Sequence, residues 1–171
     1  KKNTKTMIYE IVKKHPDAII PKRATDGSAG YDLYSIEEKE IKPQTAEKFR
    51  TGISISIPKG YAGIVYSRSG LSFNHHIERG AGLIDSDYIG EINCILYNHS
   101  PTNSKKITKG ERISQIAFQK VESPEFEEVE KFSQKIIEQK STRGENGFGS
   151  TGTHCIKKTA SEDCNVIELD D

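Results

Sequence analysis

The chain carries its apolar residues in short runs, each cut off by glycine, proline or asparagine. Ile53-Ser54-Ile55-Ser56-Ile57 alternates strictly and stops at Pro58, with Gly60 following. Successive strand side chains point to opposite faces, so this pattern predicts a half-buried strand that ends in a turn. Gly63 to Tyr66, Glu91 to Tyr97 (EINCILY) and Ile113 to Val121 predict three more strands. Many short strands punctuated by turn residues, with no internal repeat, point to an all-β sandwich or jelly roll. No run approaches the roughly 20 apolar residues that cross a bilayer, so no membrane partner is expected, and no signal peptide is visible.

Two stretches depart from this pattern. Phe126, Val129, Phe132 and Ile136 fall at helical spacing after Pro124, and periodicity alone leaves helix and strand open there. Ser69 through His76 predicts a short helix with Ser69 as its cap. His75 and His76 then read as a polar helix face.

Composition bears on assembly. Only 33% of the 171 residues are hydrophobic. A chain this lean either has mobile ends or borrows burial from partner subunits. With 25 basic and 25 acidic residues the formal charge is zero, so no stable nucleic-acid partner is expected. Lys1, Lys2 and Lys5 open the chain, and Glu162, Asp163, Glu168, Asp170 and Asp171 close it. Both ends read as solvated tails. The first residue is not Met, which suits a trimmed product or a piece of a longer one. Three cysteines without CxxC spacing argue for a reducing, intracellular setting, cytoplasmic or nuclear, with a virus-encoded origin left open. Cys94 lies in an apolar run and reads as a core residue.

Four features suggest chemistry. Arg143 to Gly152 (RGENGFGSTG) joins an arginine and two hydroxyls to exposed backbone N–H groups, which makes a phosphate cradle or a plain linker. Tyr66 to Leu71 (YSRSGL) follows a strand and opens the short helix, which suits an anion site or an ordinary capped helix. Gly80 to Glu91 resembles a hairpin with two acids and an aromatic ring, either to activate a water or as an Asp-rich turn. Ala24 to Leu33 brings an aspartate into a strand after small residues, which a tight turn alone would also explain.

Together and in order, these residues resemble the trimeric dUTPase family, whose five motifs all have counterparts here. They are Pro21 to Leu33 (PKRATDGSAGYDL), Arg68-Ser69-Gly70-Leu71, Gly82 to Gly90 (GLIDSDYIG), Gly110 to Ile116 (GERISQI) and Arg143 to Gly152. The resemblance spans roughly Ile19 to Gly152. It implies a distorted jelly roll assembled as a homotrimer, with one short helix and a swapped C-terminal arm. The expected divisions are a flexible 1–6, a core over 7–134 and an arm over 135–152; the resemblance does not reach the acidic 153–171, which is expected to be disordered. It also favours a strand near Phe126 to Val129, with an extended arm afterwards.

The resemblance also implies hydrolysis of dUTP to dUMP and pyrophosphate. That activity limits uracil entry into DNA and supplies dUMP for thymidylate synthesis. Asp85 matches the general base that aims water at the α-phosphorus. Gly82, Ile84 and Tyr88 match the seat of uracil and deoxyribose, and Phe148 matches the ring that stacks on uracil. Arg68, Ser69, Gly70, Gln115, Arg143, Gly149, Ser150 and Thr151 match phosphate-binding positions. Asp32 matches the aspartate that holds Mg²⁺ through its waters. The departures are Ser67 for a usual Pro, Ser114 for a common Ala and Asn146 for a usual Gly. The rival readings are a dCTP deaminase, which shares the fold but attacks C4 of cytosine, and a silent dUTPase-like module that binds proteins.

Overall fold

In a computed structural model the structure describes residues 8–140. In chain order the elements are β1 (Ile11–Lys13), β2 (Tyr31–Tyr34), β3 (Lys39–Ile41), β4 (Ala46–Arg50), β5 (Ile53–Ile55), β6 (Tyr61–Tyr66), α1 (Ser69–His75), β7 (Ile77–Arg79), β8 (Leu83–Ile84), β9 (Asn93–Asn98), β10 (Lys105–Ile107), β11 (Arg112–Lys120) and α2 (Gln134–Lys140). The strands lie in four antiparallel sheets, ordered β1-β5, β10-β3, β2-β11-β6-β8 and β4-β9-β7. This is the distorted all-β jelly roll expected. Among the described residues no helix is long and apolar enough to cross a membrane.

Alternation builds the core. Cys94 and Leu96 of β9 point inward, and Cys94 stands opposite Phe49 of β4. Phe49, Leu33, Ile41, Ile53, Ile77, Ile92, Leu96, Ile107, Ile113, Ile116 and Val65 are all almost fully enclosed. Each such side chain contributes about 1.5–3 kcal/mol by leaving water. Burial pushes the Cys94 thiol up to about 12, so it is an inert core residue, as its sequence context predicts.

The strand at Ile53–Ile55 is not half-buried. Ser54 is enclosed too, and its hydroxyl donates to the Ile89 carbonyl at 2.8 Å. The Ile92 N–H donates to the Ile53 carbonyl at 2.8 Å. The chain returning from Asp85 therefore lies over the face that alternation assigned to solvent.

Ser114 holds a buried hydroxyl without a hydrogen-bond partner. The Cys94 thiol is near enough to feel that hydroxyl, but a thiol is a weak partner. An unsatisfied buried hydroxyl costs about 1–3 kcal/mol. Ser114→Ala is expected to raise Tm by about 2–4 °C, the shift that about 1 kcal/mol produces in a domain of this size. A thermal melt with Tm unchanged or lowered would contradict this.

Two helical expectations are corrected. Helix α1 covers Ser69–His75, but its N-cap is Arg68, in extended conformation and without a side-chain cap bond. Ser69 is already the first helical residue, so its hydroxyl is not spent on capping. His76 leaves the helix with φ of 56° and closes it through its N–H to the Ser72 carbonyl. His75 and His76 are exposed, as a polar face requires.

The chain divides into two compact units, Lys1–Pro124 and Glu125–Asp171. In the second, no strand forms over 126–129, and regular structure begins only at α2. A strand needs a ladder partner, and Phe126 to Val129 has none among the described residues. The structure thus has a second short helix where one was expected. Phe126 and Phe132 are largely exposed.

Candidate active site

The four-stranded sheet aligns three of the motifs. Asp32 of β2 stands opposite Gln115 of β11, and Gln115 stands opposite Tyr66 at the end of β6. The chain then turns through Ser67 into Arg68, whose side chain folds back across the strand ends. Its Nε lies 3.3 Å from Asp32 Oδ1, and its Nη1 donates to the Arg112 carbonyl at 3.0 Å. Arg112 Nη1 reaches the second oxygen of Asp32, also at 3.3 Å. A register shift between Arg112 and Ser114 turns Arg112 toward that carboxylate.

Gln115 is held from two sides. Its Nε2 donates to the Ser67 carbonyl at 3.0 Å. A Cβ on residue 30 would come within 2.4 Å of its Oε1, so only glycine lets this carboxamide lie where it does. Gly30, Ser67, Glu78, Arg79 and Gln115 line an open cleft of about 590 Å³. Two guanidinium groups face one carboxylate here, which leaves excess positive charge for an anion. The Ser69 hydroxyl makes no hydrogen bond among the described residues, and Ser69 and Gly70 are exposed.

The third motif sits at the far edge of the same sheet. β8 is its last strand and pairs with β6 through Gly63↔Ile84 and Ile64↔Leu83. Its other edge is without a strand partner among the described residues, so main-chain donors and acceptors there face outward. A Cβ at Gly82 would come 3.0 Å from the Val65 carbonyl, so glycine is what allows this close approach to β6. The hairpin expected over Gly80 to Glu91 is corrected to a single turn. The Tyr88 N–H donates to the Asp85 carbonyl at 3.2 Å, but no ladder joins the two limbs. The return limb is instead tied to β5 through Ile89 and Ile92.

Glu91 anchors the limb's end. Arg50 Nη2 donates to it at 2.9 Å and the Gly52 N–H at 2.9 Å. Burial pushes the Glu91 carboxyl up, but these donors and the Arg50 charge together hold it below its ordinary value. The Tyr88 ring folds over Gly90, where a Cβ would lie 2.5 Å from it, and its hydroxyl donates to the Glu91 carbonyl at 2.9 Å. Asp85 is exposed, and its carboxylate has no hydrogen bond or ion pair among the described residues. Gly82, Ile84, Asp85 and Tyr88 line a cavity of about 240 Å³ with Ile92 and Ile95.

Sequence-predicted residues thus fall into two groups. Asp32, Arg68, Ser69, Gly70 and Gln115 cluster at one end of the sheet. Gly82, Ile84, Asp85 and Tyr88 gather around a different cavity, and the two cavities share no lining residue. Arg143, Phe148, Gly149, Ser150 and Thr151 lie outside the described residues. Sequence reasoning missed Arg112 and Glu78. Arg112 carried a signal, as the arginine inside GERISQI. Glu78 carried none.

Among the described residues there is no group of three or more His, Cys, Asp or Glu that could hold a metal. Each Asp32 oxygen has one long ion pair and keeps acceptor capacity for a metal-bound water. That suits Mg²⁺, which prefers to keep its waters and to bind through one carboxylate plus substrate phosphates.

A family model described as dUTPase matches residues 16–152. The deoxyuridine 5'-triphosphate nucleotidohydrolase of fowlpox virus (strain NVSL) is 44% identical over 135 residues, covering 79% of this chain and 90% of that protein. A mutant dUTPase of Staphylococcus bacteriophage 80alpha, solved with dUpNHpp, matches with a TM-score of 0.78 at 30% identity, over 86% of this chain and 100% of that one. A mutant dUTPase from phage phi11 of S. aureus, whose structure reveals the coordination of a structural Mg(II) ion, matches at 0.70 and 25% identity, over 74% and 99%. With a family model across most of its length and a relative at this identity, the chain belongs to the dUTPase family.

Proposed function

We propose that this chain hydrolyses dUTP to dUMP and pyrophosphate in a homotrimer whose sites lie between subunits. The observation that carries the reading is an unpartnered carboxylate, Asp85, beside an open strand edge and a cavity of about 240 Å³, in a member of the dUTPase family. Outward main-chain groups of β8 offer a fixed donor and acceptor pattern to the uracil edge. Cytosine would leave such groups unpaired, which rejects it far more strongly than an apolar pocket could. Tyr88, pinned over Gly90, lies against the deoxyribose and excludes a 2′-hydroxyl.

Asp85 takes a proton from the attacking water. The new bond forms to the α-phosphorus, and the bond to the oxygen bridging toward the β-phosphate breaks, releasing pyrophosphate. Arg68, Ser69, Gly70 and Gln115 grip the phosphate oxygens. Arg143, Gly149, Ser150 and Thr151 do so from the C-terminal arm, and Phe148 stacks on uracil. Asp32, steadied by Arg68 and Arg112, would hold Mg²⁺ through its waters. When bound, Mg²⁺ would neutralise phosphate charge as the reaction proceeds. Positioning supplies most of the rest, since phosphoryl transfer asks little covalent help of a protein.

Two features support a site shared between copies. Asp85, the base, and Gln115 of the phosphate grip line separate cavities of one chain. Asp85 lines a cavity of about 240 Å³. Exposed apolar residues such as Leu83 and Ile89 beside it suit burial against a second copy.

Pyrophosphate release over dUTP, dCTP, dTTP and UTP, with and without Mg²⁺, tests the activity. Selective release from dUTP is expected, and ammonia from dCTP would instead identify a deaminase. A chain ending at Gln139 lacks the fifth motif. It is expected to lose at least about 10²-fold in turnover while remaining trimeric by sedimentation. A monomeric truncated chain would move the arm's role to assembly.

A further inference from the structure

We propose that Glu78 is a positioning residue for the phosphate-gripping turn, acting through the hydroxyls of Ser67 and Ser72. The inference rests on the phosphate reading of Arg68 and Ser69 given above. Glu78 lies in β7, just after α1, and its two carboxylate oxygens are used separately. Ser67 donates to Oε2 and Ser72 donates to Oε1. These serines flank the Arg68-Ser69-Gly70-Leu71 segment, one immediately before it and one immediately after. A single carboxylate thus clamps both ends of the turn.

Ser67 is the junction. Its hydroxyl also accepts from the Arg79 N–H at 3.0 Å, and its carbonyl accepts from Gln115 Nε2 at 3.0 Å. Displacing Ser67 would therefore move Arg68 and Gln115 together. Helix α1 cannot hold this turn by itself. It has seven residues, lacks a side-chain cap bond and buries only Leu71. Helices this short are marginal unless something outside them fixes their geometry. The two serine hydroxyls hold the Glu78 carboxyl below its ordinary value, so it is ionised and able to accept both bonds at neutral pH.

The test is a double-mutant cycle in the full chain, following KM and kcat for dUTP, affinity for dUpNHpp, Tm and trimer content. Ser67→Ala and Glu78→Ala should each raise KM about tenfold, the scale of one charge-assisted hydrogen bond, with kcat changed less than about threefold. The double variant should be no worse than the poorer single one, because both remove the same tie. Ser67→Pro fixes the backbone torsion by its ring instead and should keep KM within about threefold of the parent. Unchanged KM in the single variants, effects that multiply in the double, or a KM rise that only follows a fall in Tm would each overturn the proposal. An active parent with unaffected variants would sink the clamp alone. A parent inert toward dUTP would sink both the clamp and the activity it serves.

Discussion

Asp85→Asn is expected to bind dUpNHpp as the parent does and to hydrolyse dUTP about 10²–10⁴-fold more slowly, the range that a positioned general base supplies. The amide is nearly isosteric with the carboxylate but cannot take a proton. The Asp85 carboxylate has no hydrogen bond or ion pair among the described residues, so the exchange breaks no internal side-chain contact and should leave Tm unchanged. That combination separates a chemical role from a structural one. Near-parental kcat would remove Asp85 as the base, and a large fall in dUpNHpp affinity would make it a binding residue instead.

Mixing two inactive variants should restore activity. Asp85→Asn spoils the uracil side of the site and Arg68→Ala spoils the phosphate side. Asp85 lines one cavity and Gln115, which shares the phosphate side with Arg68, lines another with no lining residue in common, and the proposed site joins one chain's Asp85 to another chain's Arg68. If the two variants are unfolded together at equal amounts and refolded, random assembly pairs an intact base with an intact grip in about a quarter of the sites. Turnover should reach about that fraction of the parent's, against almost none for either variant alone. No recovery despite mixed trimers would put base and grip in one chain and overturn the shared site. Arg68→Ala also tests the electrostatic argument, because among the described residues Asp32 would then keep only Arg112 as its ion-pair partner.

Much of this fold and site is legible in the order of residues. The short interrupted runs predict an all-β fold, and four strands fall where alternation or apolar runs put them. The neighbours of Cys94 are enough to place it in the core. The ordered motifs identify the family, because glycines at tight approaches and charged groups in a set sequence are local signatures. Gly30 against Gln115 and Gly82 against β6 give the physical reason for two of those glycines.

Other features are not local. The sequence of Ile53 to Ile57 says that one face is apolar, but only the return limb from Asp85 covers Ser54 on the other face as well. The segment Phe126 to Val129 has strand-compatible residues, yet strand formation depends on a partner elsewhere. Arg68 reads as an anion binder from sequence, but its pairing with Asp32, some 36 residues earlier in the chain and across two strands, follows from register. Glu78 shows the limit most plainly. Its neighbours mark it as an ordinary strand residue, and only the packing of β7 against α1 delivers its carboxylate to Ser67 and Ser72. Fold class, family and the chemical groups on offer are thus written along the chain. Which of those groups meet is settled only by folding, because hydrogen bonds and ion pairs depend on separation in space, and strand pairing sets that separation regardless of distance along the chain.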